Sequence, residues 1–78
     1  MSYFVKRTAK RTWFTGARTI HAGTVGWTGS IRSIKQARRE QRAWEEAGNW
    51  RAEVLESTPA VRAQVRDWVR EQRALTAA

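Results

Sequence analysis

The pattern of the chain changes at Ser33. Between Tyr3 and that point Thr, aromatic and β-branched residues predominate, and Gly16, Gly23, Gly26 and Gly29 interrupt them. This mixture suits half-buried strands separated by turns. Beyond Ser33, apolar residues recur three and four apart, the spacing of one side of a helix. A chain that switches period in this way is committed to mixed structure, and 78 residues leave room for one small domain, 1–78.

Three strands are expected in the first part: Tyr3 to Thr8, a second within Trp13 to Ala22, and a third from Val25 to Arg32, with Ala22-Gly23-Thr24 turning between the last two. Ser33 and Gln36 then form a capping-box pair, which predicts a helix over about 33–47 that stops at Gly48. Asn49 to Ser57 alternates Trp50, Ala52 and Val54 with Arg51, Glu53 and Leu55, as a strand would. Thr58-Pro59 supplies a cap and a first-turn proline for a second helix over about 58–75. The expected class is α+β, a three-stranded β-meander followed by α-β-α, with the helices packed on one face of the sheet. A helix-turn-helix is disfavoured because about ten residues, some with strand alternation, separate the two helices.

Five tryptophans help so short a chain to build a core, since each aromatic buries about 150–250 Å². Trp44 and Trp68 fall on the inner sides of the two helices and Trp50 on the strand between them. Gln72 is out of place, at the centre of the second helix's apolar stripe.

Several function classes are disfavoured by what the residues lack. No apolar run approaches the roughly 20 residues of a membrane span, and the opening Met-Ser-Tyr-Phe-Val-Lys-Arg has no signal-peptide core, so a cytoplasmic protein is expected. There is no cysteine and one histidine, His21, so neither a thiol nucleophile nor a zinc site can be assembled. The glycines at 23, 26 and 29 carry no phosphate-loop motif. No catalytic, cofactor or metal set is expected, and the chain reads as non-enzymatic.

What stands out is charge. Residues 1–42 hold ten Lys and Arg against the single acid Glu40, a net of +9, while the other 36 residues sum to −1. This asymmetry concentrates a positive field on one part of the molecule. Lys35, Arg38, Arg39 and Arg42 cluster on one side of the first helix. Lys35, Arg38 and Arg39 sit toward its positive N-terminal end, with Glu45 and Glu46 at the negative end, each costing about 0.3–1 kcal/mol if exposed. On the second helix Arg62, Arg66, Arg70 and Arg73 repel one another by about 0.2–0.5 kcal/mol per pair. A polyanion would relieve that repulsion, as would Glu53 or Glu56 if either lay alongside.

Cations interleaved with aromatics suit phosphate contact combined with stacking. The expected nucleic-acid-binding set is Lys6, Arg7, Lys10, Arg11, Trp13, Arg18, Trp27, Arg32, Lys35, Arg38, Arg39 and Arg42. DNA is expected over RNA, and three strands followed by a helix is the element order of several small DNA-binding domains whose sheet enters a groove. The competing expectation is an interaction module, an inhibitor or assembly factor that docks an acidic protein through the same surface. Membrane attachment is disfavoured because the apolar stripes are needed for the core. Twelve Arg to three Lys, with twelve Ala, is the bias of a GC-rich genome. Together with the size it suggests an accessory protein of a bacteriophage or mobile element.

Overall fold

The computed structural model describes residues 1–77. Its elements run β1 (Tyr3–Ala9), β2 (Trp13–Thr15), β3 (Arg18–Ile20), β4 (Val25–Trp27), α1 (Ile34–Glu46), β5 (Trp50–Glu56) and α2 (Pro59–Ala77). The class is α+β, with two antiparallel sheets and both helices packed against the strands. No helix among the described residues is long and apolar enough to cross a membrane.

β1 is the centre of the main sheet, in the order β4-β1-β5. All seven of its residues pair with β5, from Tyr3 opposite Glu56 to Ala9 opposite Trp50. On the other side Lys6, Arg7 and Thr8 face Trp27, Gly26 and Val25. Because successive side chains point to opposite faces, Tyr3, Val5, Arg7 and Ala9 share one face, and Phe4, Lys6 and Thr8 the other. α1 covers the first. Val5 and Ala37 are fully buried there with Ile31, and Tyr3, Trp44, Ala52 and Val54 pack around them. On the second face Phe4 and Trp27 meet edge to face, ring centroids 6.4 Å apart.

The helix ends follow their local chemistry. Ser33 Oγ accepts from the Gln36 amide at 3.4 Å, and the Gly48 amide closes α1 on the Glu45 carbonyl at 3.1 Å. Thr58 Oγ1 accepts from the Val61 amide at 3.2 Å to start α2. α2 reaches the sheet at its β4 edge, where the Trp68 Nε1–H donates to the outer Val25 carbonyl at 2.9 Å. That contact closes part of an edge that would otherwise present unpaired backbone groups.

The first half differs from the expected meander in two places. The span read as one strand is a separate hairpin, β2 against β3, with Trp13 opposite Ile20 and Thr15 opposite Arg18. Its two-residue turn begins at Gly16, whose φ of +57° has the sign a primed hairpin turn needs. The span read as a third strand pairs only over Val25–Trp27 and again at Ile31. Between them Thr28 Oγ1, in place of a backbone carbonyl, accepts from the Val5 amide at 3.0 Å, so the ladder is interrupted. The main sheet closes before the hairpin departs: Ala9 and Thr24 are joined by an amide–carbonyl bond of 2.9 Å, and the Gly23 amide returns to Ala9 at 2.9 Å.

Candidate nucleic-acid interface

The expected binding residues do not form one surface. Three of them are used inside the fold. Trp27 is 6% exposed and packed on Phe4, so it has no free ring face to offer a base. Strand alternation put it there, since pairing with Lys6 turns its side chain to the Phe4 face. Arg11 donates through Nε to Asn49 Oδ1 at 2.9 Å and through Nη2 to the Gly48 carbonyl at 3.2 Å. It is thereby a cation at the negative end of α1, a favourable place for it.

Arg7 is the third. Its Cζ lies 4.0 Å from the Trp44 ring centroid and 5.0 Å from that of Trp50. Its Nε is buried without a hydrogen-bond acceptor among the described residues, and burial lowers its pKa from the ordinary arginine value. An arginine stays protonated through any physiological range, so a partly buried charge is held here against indole faces. The same indoles continue as a row: Trp44 meets Trp50 at 5.8 Å and Trp50 meets Trp13 at 5.2 Å, both edge to face. Trp13, half-buried, fastens the hairpin to the α1 side of the sheet.

Lys6 stands apart on the opposite face, its Nζ 5.7 Å from the Trp27 ring. Besides Arg11, which is exposed but tied to the end of α1, the exposed members are Lys10, Arg18, Arg32, Lys35, Arg38, Arg39 and Arg42. Five of these belong to α1 or to its approach at Arg32. The helix turns Ala37, Gln41 and Trp44 inward, with Gln41 Nε2 donating to the Ala52 carbonyl at 3.0 Å. That leaves Lys35, Arg38, Arg39 and Arg42 on the outside. Within 4.0 Å, the ion pair found among the described residues joins Arg66 to Asp67, both exposed. No carboxylate on α1 or β5 neutralises the α1 cations in that range, and neither Glu53 nor Glu56 holds the arginines of α2. Arg62 instead donates to Ser57, at 3.1 Å to its carbonyl.

Phe14 is a further exposed aromatic that was absent from the expected set. It is 81% exposed on the hairpin, on the strand face opposite Trp13. Its place next to Trp13 was visible in the sequence, but the separate hairpin that exposes it was not. The main sheet has buried aromatic or aliphatic residues on both faces, so β2 and β3 form the free β element. Compared with known proteins, the chain matches no family model, no curated protein and no solved structure.

Proposed function

We propose that this is a small, non-enzymatic nucleic-acid-binding protein that grips the phosphate backbone of DNA through the outer side of α1. The observation that carries the reading is the row Lys35, Arg38, Arg39 and Arg42, exposed and without an ion-pair partner among the described residues. Four like charges on one helix repel one another, and phosphates would relieve that repulsion while releasing counterions. Glu45 and Glu46 at the far end of the helix orient the contact, so that its N-terminal turns, where the dipole favours anions, face the backbone. DNA is preferred because its major groove admits a helix, whereas the A-form RNA groove is too narrow. The setting we propose is the cytoplasm of a GC-rich bacterium, with a bacteriophage or mobile element as the source. Size and the Arg/Ala bias support it.

The test is a duplex-DNA titration by fluorescence anisotropy. Binding at about 50 mM salt should fall steeply by about 200 mM, and Arg38→Gln and Arg42→Gln should each shrink the salt slope by about one charge. If neither DNA nor RNA binds at low salt while an acidic protein does, the same surface is a protein-docking face and this reading is wrong.

A further inference from the structure

We infer that the cleft beside β4 is a site for one nucleotide, an aromatic base carrying its phosphate. The inference deepens the nucleic-acid reading above and depends on it for the class of ligand. The cleft holds about 270 Å³ between the β2–β3 hairpin, the edge of β4 and the C-terminal half of α2. Arg7 and Arg18 bring guanidinium groups to its lining, Trp50 and Trp68 bring indoles, and Gln72 brings an amide.

Each component is held or accessible in the way such a site requires. Arg7 is fixed against Trp44 and Trp50, and its buried Nε has no acceptor among the described residues. Arg7 is partly buried, and no carboxylate among the described residues pairs with it. Arg18 is exposed and, among the described residues, has no ion pair. Two guanidinium forks on one cleft suit phosphate, which they can bind in a bidentate manner. Trp68 is pinned by its bond to the Val25 carbonyl, so its ring forms a rigid wall. Indoles accept any base by stacking, and an amide such as that of Gln72 can both donate to and accept from a base edge. The volume is just below the usual range of small-ligand clefts, about 300–1,000 Å³, which favours one nucleotide over a longer segment. It also gives Gln72 a purpose on an otherwise apolar stripe.

The ligand could be a free mononucleotide or an unpaired nucleotide of a strand, and indole N–H signals of the intact ¹⁵N-labelled chain can separate the two. Adenosine monophosphate should shift the Trp50 and Trp68 signals and leave that of buried Trp27 in place. Arg18→Gln and Leu75→Glu, the latter adding a negative charge at a cleft position that is 70% exposed, should weaken that response about tenfold without changing the melting temperature. If a 5′-phosphorylated single-stranded oligonucleotide produces the same shifts more tightly, a strand is the source; if only the mononucleotide does, it is the free nucleotide. Inorganic phosphate producing the same indole shifts at equal concentration would overturn the assignment, because the base would then contribute nothing. Duplex binding on α1 is scored separately through Arg38→Gln. A protein that binds duplex while no nucleotide or oligonucleotide moves Trp50 and Trp68 loses the cleft and keeps the interface. One that shows the indole shifts but no duplex binding keeps the cleft and loses the interface.

Discussion

A β-carbon on Gly26 would stand 2.6 Å from Nε of Arg7. The strand register sets the two residues opposite each other, and the arginine side chain passes over the glycine on its way to Trp44 and Trp50. Gly26→Ala should push the guanidinium off the indoles. That loses about 1–2 kcal/mol of cation–π energy and regains about 0.4–1 kcal/mol from a stiffer unfolded chain. The net loss, about 1 kcal/mol, should lower the melting temperature by about 4–8 °C in calorimetry. In an Arg7→Ala background the same change should be neutral or stabilising. A similar cost in both backgrounds would show that the crowding is not with Arg7.

Trp68 contributes a ring and a hydrogen bond, and two substitutions divide them. Trp68→Phe keeps most of the apolar area and removes the donor to Val25, so urea unfolding should show a loss of about 1 kcal/mol. Trp68→Ala also removes the wall between α2 and β4 and should cost about 3 kcal/mol. Equal losses would assign the whole effect to the hydrogen bond.

Arg66 tests the arginine row of α2. Its ion pair is with neighbouring Asp67 at 3.9 Å, both side chains more than half exposed, and such a pair is worth little. Arg66→Gln should therefore leave stability within about 0.5 kcal/mol, and if this row also meets the polyanion the salt slope should shrink by about one charge. A drop in melting temperature beyond a few degrees would reveal an internal partner for Arg66.

Phe14→Ala removes a ring that contributes little to packing. Thermal stability should hold within about 0.5 kcal/mol, while affinity for single-stranded DNA should fall on the order of tenfold, the worth of one stacked base. Unchanged affinity for both single-stranded and duplex DNA would remove the hairpin from the binding surface.

The features legible in the sequence are those fixed within a few residues. Ser33 caps α1, Gly48 follows its end and Thr58-Pro59 starts α2 because capping depends on neighbours three or four positions away. Trp27 and Arg7 were unreadable for the opposite reason. Their environments are set by pairing with strands far along the chain, and a one-residue slip of register would exchange their faces. In the sequence Arg7 displays only its charge. That it is spent against Trp44 and Trp50 depends on residues some forty positions away. The hairpin was hidden because its strands are three residues each, too short to show alternation, and its Gly16-Ala17 turn is a weaker signal than Asn-Gly.

The bonds joining Ala9 to Gly23 and Thr24 make β1 and β4 a hairpin already complete without residues 10–22. Those residues are in effect a cassette. Loop-closure entropy changes slowly with length, by about 0.6 kcal/mol per doubling, so the cassette could be trimmed, extended or given another sequence while the register of the sheet is preserved. The forfeits would be the packing of Trp13 on Trp50, the Arg11 contacts at the end of α1 and the Arg18 side of the cleft. Selection could thus retune the reach and chemistry of this arm without first having to solve the fold again.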